Sequence, residues 1–282
     1  MLRSLLIFVF IITCGTTWAQ EKIELNIYHT NDMHSRIEPL PDNFSEKQNA
    51  GKGGIVRRIT FMEQERKKDP ELLLLDCGDF SQGTPYYNIF KGQTEVDFMN
   101  LCKYDVATIG NHEFDFGQEN MRERYLQANF PIVCANYQVK GTILEDVVKP
   151  YVILHRKGLK IGIFGLGTRL EGMVRYVNYK GIDYLDPAQC ANEIATYLKE
   201  TEKCDLIICL SHLGWQNDVN HPDGDEHIIA NSRYIDLVLS GHTHTYMVKP
   251  RYVRNLDGKE TPVYQMGKNT AYMGHITLTF TK

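Results

Sequence analysis

The sequence predicts an α/β fold, on three observations. Short apolar runs recur along the chain, each ends in a loop carrying Gly, His, Asp or Asn, and several of these loops lead into apolar residues at helical spacing. A continuous apolar run bounded by turn residues is the pattern of a strand buried on both faces, as in sheets covered by helices.

The elements follow in order. Ile23, Leu25 and Ile27 alternate as in a strand and lead into His29-Thr30-Asn31-Asp32-Met33-His34. Glycines at 51, 53 and 54 then precede Ile55, Ile59 and Met62, whose spacing predicts a helix. Leu72–Leu75 runs into Asp76-Cys77-Gly78-Asp79, and Val106–Ile109 into Gly110-Asn111-His112-Glu113, both strand-to-loop junctions, with a helical pattern from about Gly117. Leu206–Leu210 runs into Ser211-His212, and Leu237–Leu239 into Ser240-Gly241-His242-Thr243-His244. Beyond His244 the pattern predicts strands only, at Tyr246–Val253, Pro262–Met266 and Met273–Phe280, with Leu256-Asp257-Gly258-Lys259 as a hairpin turn. No repeat, low-complexity stretch or linker interrupts residues 20–282, which read as one domain.

Ahead of that domain, residues 1–19 combine Arg3, the apolar run Leu5–Ile12 and a Thr17-Trp18-Ala19 ending, the pattern of a secretory signal with the mature chain starting near Gln20. Ile11-Ile12-Thr13-Cys14 resembles a bacterial lipobox, so a lipid on Cys14 is the alternative to soluble export. The expected location is the periplasm or, through that lipid, the cell envelope. The six remaining cysteines, an even number, could pair in an oxidising compartment, yet most lie in apolar runs that suit buried thiols equally well. With 31 basic and 35 acidic residues, a formal charge of −4, and no basic block beyond Arg57-Arg58 and Arg66-Lys67-Lys68, the chain is not expected to bind polymeric nucleic acid.

Open α/β sheets bind ligands beyond the carboxyl ends of their strands, so the polar residues at five such ends should converge on one site. They are Asp32 and His34, Asp79, Asn111, His212, and His242 with His244. Carboxylate, amide and imidazole donors suit borderline divalent ions, and seven are too many for one four-coordinate zinc. A pair of ions about 3.5–4 Å apart sharing one carboxylate would use them all and leave positions for water and a phosphate oxygen; Asp79 is the expected bridge. His155, His221, His227 and His275 read as surface or strand-facing, His29 lies nearer the site, and Arg36 and Arg57 stay unassigned.

Asp32-x-His34, Gly78-Asp79, Gly110-Asn111-His112-Glu113, His212 and Gly241-His242-x-His244, in that order, resemble the calcineurin-like metallophosphoesterases. The stretches HTNDMHSRIEP, GGIVRR, DCGDFSQGTP, TIGNHEFDFG, SHLGW and GHTHT are similar, more narrowly, to the catalytic domain of 5'-nucleotidases, over roughly residues 22–282. That branch also includes UDP-sugar hydrolases and cyclic-nucleotide phosphodiesterases.

The resemblance implies a four-layer α/β/β/α sandwich of two mixed sheets flanked by helices. It implies Asp32, His34, Asp79 and His244 on one metal ion and Asp79, Asn111, His212 and His242 on the other, with zinc, manganese or iron as the metal. Where His244 stands the family often has Gln or Asn; an imidazole there favours zinc. Asn111 and His112 would hold phosphate, with Asp115 orienting the His112 imidazole for charge stabilisation or proton delivery; as an alternative, Asp115 caps the following helix.

The implied reaction is in-line attack by metal-activated water on a small phosphate monoester, a nucleoside 5'-monophosphate above all. The alternatives are a cyclic-nucleotide phosphodiesterase or nucleotide pyrophosphatase with the same site, and a non-catalytic metal-binding subunit that docks a partner. Relatives acting on nucleotides usually carry a C-terminal nucleotide-binding domain for which this chain has no room, so a separate chain is the expected source of one.

Overall fold

The computed structural model describes residues 22–215 and 223–281. The expected signal segment with Cys14, and His221, lie outside the described residues. In chain order the elements are β1 (Lys22–Thr30), α1 (Ile55–Lys68), β2 (Leu73–Asp76), α2 (Pro85–Phe90), α3 (Gln93–Cys102), β3 (Val106–Thr108), α4 (Gly117–Tyr125), β4 (Ile132–Val133), β5 (Tyr137–Gln138) and β6 (Val148–Lys149). The hairpin β7 (Tyr151–Arg156) and β8 (Leu159–Leu166) follows, then α5 (Tyr176–Tyr179), β9 (Asp183–Tyr184), α6 (Pro187–Thr196), β10 (Leu206–Ser211), α7 (Asp225–Ala230) and β11 (Leu237–Ser240). The last strands are β12 (Arg251–Arg254), β13 (Glu260–Tyr264) and β14 (Gly274–Thr281).

Two six-stranded sheets result, in the orders β14-β1-β2-β3-β4-β6 and β12-β13-β11-β10-β8-β7. Both are mixed. In the first, β14 pairs antiparallel with β1 while the other neighbours are parallel. In the second, antiparallel β7 and β12 flank the parallel strands β8, β10, β11 and β13.

Three apolar cores separate four layers. Leu25, Ile27, Leu73 and Leu75 of the first sheet meet Ile161, Ile163, Ile208 and Leu239 of the second. On the far face of the first sheet, Leu74 and Ala107 pack with Met62, Val96, Met99 and Met121 of α1, α3 and α4. On the far face of the second, Ile207, Cys209 and Val238 pack with Ala188, Ala191, Ile228 and Ile229 of α6 and α7. The uninterrupted apolar runs thus have a period-two meaning after all: Leu74 faces helices while its neighbours face the other sheet. Each fully buried aliphatic side chain stabilises this arrangement by about 1.5–3 kcal/mol.

The expected strand Tyr246–Val253 is shorter than its pattern. Only Arg251–Arg254 joins a ladder, while Tyr246 makes a single bridge to Met266. Pro250 has no N–H to give a ladder, and the chain before it is still leaving the His244 loop. The hairpin turn forms as expected, with Asn255 N–H donating to the Lys259 carbonyl at 2.9 Å. Among the described residues all six cysteines are free thiols, five of them buried, and no helix is long and apolar enough to cross a membrane.

His29 is buried completely on the inter-sheet side of β1, edge-on to Tyr264, with neither ring nitrogen hydrogen-bonded. Gly274 opposite it has no alternative, since a Cβ there would overlap the imidazole. Burial pushes the imidazole from 6.5 down to about 3, so it stays neutral in the folded protein while the unfolded chain takes up a proton below pH 6.5. Stability present above that pH is therefore lost progressively between pH 6.5 and 3. A His29→Leu variant should lack this component, up to about 1.4 kcal/mol for each pH unit. Urea unfolding of both proteins from pH 7 to 5 measures it, and parallel pH slopes would contradict the assignment.

Candidate metal centre

The carboxyl ends of β1, β2, β3, β10 and β11 meet at one edge of the sandwich. The Asp32 and His34 N–H groups donate to the Gly78 and Asp79 carbonyls, both at 3.0 Å, joining the first two loops. His212 Nδ1 donates to the Cys77 carbonyl at 2.6 Å, and the His242 N–H donates to Asp32 Oδ2 at 2.9 Å, tying the second sheet to the first. Gly110 permits the third approach, because a Cβ there would overlap the Asp79 carboxylate.

Five of the expected ligands hold left-handed backbone: Asp32 (φ 49°), His34 (48°), Asp79 (54°), His242 (71°) and His244 (54°). Such conformations in residues other than glycine cost of order 1–3 kcal/mol each and persist where the surroundings impose them. Here they fall in the loops that leave β1, β2 and β11.

The side chains fall into three sets close enough to share an ion: Asp32 with His34 and His244, Asp79 with His212 and His242, and His34 with Asp79 and His112. Asp79 belongs to two of the sets. His34 Nε2 lies 2.9 Å from His244 Nε2, His244 Nε2 lies 3.3 Å from Asp32 Oδ1, and His212 Nε2 lies 3.2 Å from Asp79 Oδ2. Ligand bonds of about 2.0–2.1 Å set at right angles put neighbouring donors about 3 Å apart. His212 Nε2 and Asn111 Oδ1 are buried without a hydrogen-bond partner, the first despite its nearness to Asp79. Imidazole and carboxylate donors at coordination spacing, two of their buried atoms without a hydrogen-bond partner, fit divalent ions.

The electrostatics follow from burial. Burial works to raise the Asp79 carboxyl, but the charge and close approach of His212 above all outweigh it and hold the group well below the usual range. Burial likewise works to lower His212, but Asp79 and Asp32 raise it to about 10. His34, less compensated, is held down by burial.

At the open side of the cluster, His112 Nδ1 pairs with Asp115 Oδ2 at 3.0 Å, and the His112 and His34 rings lie 5.5 Å apart. The hydrogen bond to Asp115 and the Asp79 charge together overcome burial and raise the His112 imidazole. Asp115 does not cap the following helix: α4 begins after Phe116 with no side-chain cap. Among the residues left unassigned, Arg57 donates to the Gly51 carbonyl at 2.7 Å, and Arg36 is half-buried.

Three residues that the sequence did not single out hold the loops. Glu113 accepts the N–H groups of Asp79, Ser81 and Gly110 at 3.0, 3.1 and 2.7 Å, and burial with the Asp79 charge pushes its carboxyl up to about 8. Asn31 donates to Asp32 Oδ2 at 2.6 Å and to the Gly267 carbonyl at 2.7 Å. Gln265 donates to the Ser240 hydroxyl at 2.9 Å and the Gly241 carbonyl at 2.7 Å, bracing the loop of His242 and His244. Their placement inside HTNDMH and GNHE could have marked Asn31 and Glu113; nothing in the sequence pattern marks Gln265. A Glu113→Ala variant leaves three buried N–H groups without an acceptor, with an expected loss of about 1–3 kcal/mol for each one left unpaired. Urea denaturation should show the lower stability; an unchanged midpoint would mean that water replaces the carboxylate.

The calcineurin-like phosphoesterase family matches residues 25–246 of this chain. The snake venom 5'-nucleotidase of Crotalus adamanteus is 33% identical over 93% of the chain and 46% of its own length. The human 5'-nucleotidase is 32% identical over 91% and 46%. Among solved structures, a 5'-nucleotidase precursor from Thermus thermophilus superposes with a TM-score of 0.81 at 27% identity, covering 92% of this chain and 52% of that one. The NAD nucleotidase of Haemophilus influenzae follows with a TM-score of 0.78 at 28% identity, over 92% and 48%. The chain thus spans about half the length of these relatives. By this match and by the fold and clustered donors it accompanies, the chain belongs to the calcineurin-like phosphoesterases and is related, within them, to the 5'-nucleotidases.

Proposed function

We propose that this protein hydrolyses phosphate monoesters, nucleoside 5'-monophosphates above all, with two divalent ions completing its site. The observation that carries this reading is the pair of donor sets around Asp79 with the His112–Asp115 pair at their open side. The proposed ligands are Asp32, His34, Asp79 and His244 for one ion and Asp79, Asn111, His212 and His242 for the other; zinc, manganese and iron all suit these donors. When bound, such ions lower the pKa of a water and neutralise charge on the phosphoryl oxygens.

The chain's own residues orient the ester. Asn111 offers Oδ1 inward and its amide N–H groups to a phosphoryl oxygen. His112, its Nδ1 held by Asp115, presents Nε2–H to the leaving oxygen and delivers a proton there as the P–O bond breaks. In-line attack then comes from the side away from His112, and no covalent enzyme intermediate is needed. The names of the snake venom and human relatives support a nucleotide as substrate, and the Arg3-led apolar segment supports a location outside the cytoplasm.

Hydrolysis of AMP, an aryl phosphate monoester and a bis-aryl diester, with added manganese or zinc, tests the reading. AMP should be preferred and chelation should abolish turnover. Asp79→Asn should reduce activity by more than about a hundredfold, since losses in the outer shell of a metal site alone reach 10–100-fold. His112→Ala should lower kcat by about 10²–10⁴-fold. Preference for the diester would overturn the monoesterase reading.

A further inference from the structure

The loop that leaves β8 forms a cavity outside the donor cluster. β8 runs in register with β10, Leu166 beside Ser211, and the His212 N–H donates to the Leu166 carbonyl at 2.8 Å. Gly167-Thr168-Arg169 therefore emerge from the same sheet edge as the ligand loops. There a cavity of about 310 Å³ is lined by Tyr137, Arg169, Tyr176, Tyr179, Asp183 and Tyr184. Its size lies at the small end of ligand pockets, about 300–1,000 Å³.

The walls are ordered by their own contacts. The Arg169 guanidinium lies 4.4 Å over the Tyr184 ring and 3.3 Å from Asp223, to which the Tyr184 hydroxyl also donates, at 3.2 Å. Tyr176 and Tyr179 meet edge to face at 5.5 Å, and Tyr176 is 64% exposed. Two contacts join this cavity to the His112–Asp115 pair. Asn178, on the same helix turn as the two tyrosines, donates to the Asp115 carbonyl at 3.0 Å, and Phe114 packs edge-on against Tyr137 at 5.7 Å.

The charge pattern selects the ligand. Asp223 already matches Arg169, and Glu171 and Asp183 add two more carboxylates, so the rim is acidic and disfavours a phosphate. It favours a neutral planar group that stacks on tyrosine and carries N–H donors.

We propose that this cavity is a subsite for a nucleobase, in which the heterocycle stacks on Tyr176 and gives N–H donors to Asp183 or Glu171. The subsite rests on the proposed reaction: a leaving group protonated by His112 departs past Asp115, toward the α5 tyrosines. The acidic rim then takes the base end of a nucleotide and the donor cluster its phosphate end.

Adenosine, which has no phosphate and so needs no metal ion, is the probe. Calorimetric titration of the full chain with adenosine should show saturable binding. Tyr176→Ala, a change at an exposed position, should weaken it about tenfold or more, as loss of one stacked base does, and Asp183→Asn should weaken it further in combination. No saturable binding, or binding that neither variant alters, overturns the subsite. The outcomes separate from those for catalysis: adenosine binding through Tyr176 in a protein that hydrolyses no phosphate ester would retain the subsite and remove the reaction. AMP hydrolysis without adenosine binding would do the reverse.

Discussion

Two carboxylates, Asp32 and Asp79, are buried where the carboxyl edges of both sheets meet, and the surrounding structure is arranged to compensate them. A buried carboxylate is tolerated only when it is paired, hydrogen-bonded or bound to a metal. Asp32 receives the His242 N–H and the Asn31 amide, and Asp79 receives the His112 N–H and faces His212. Each compensating group arrives from a different strand end, so the charges can be satisfied only if both sheets are in place. A divalent ion held by these groups would have its affinity coupled to folding for the same reason.

That coupling explains the local backbone. Ligand loops in left-handed conformation, glycines that admit a carboxylate where a Cβ would collide, and a buried Glu113 gathering three N–H groups are all departures from ordinary strand-to-helix turns. They concentrate at one edge, while the opposite requirement, dense apolar packing, is met by three cores of aliphatic side chains. Rigid layers beneath a strained rim keep donor atoms at coordination spacing.

Much of this was legible in the sequence, for identifiable reasons. Leu72–Leu75, Leu206–Leu210 and Leu237–Leu239 are buried on both faces, and such strands announce themselves as unbroken apolar runs. The donors at their ends stand out because His, Asp and Asn have no packing reason to follow such a run, and the structure brings them together. The extent of the strand after His244 was not legible, because alternation continues through residues that pack without pairing. Gln265 was invisible because its role is set by a contact between distant loops. Arg169 and Tyr184 were invisible for the same reason: their meeting across a cavity depends on β9 and the β8 loop folding toward each other. Cysteine pairing, left open by the count, does not occur among the described residues, where the six thiols are free and five of them buried.

Crystallography of the metal-loaded protein with anomalous scattering locates the ions relative to Asp79. Two peaks about 3.5–4 Å apart are expected, one on each side of the Asp79 carboxylate, with His34 and His244 toward one and His212 and His242 toward the other. A single peak, or two ions of which only one touches Asp79, would contradict this arrangement.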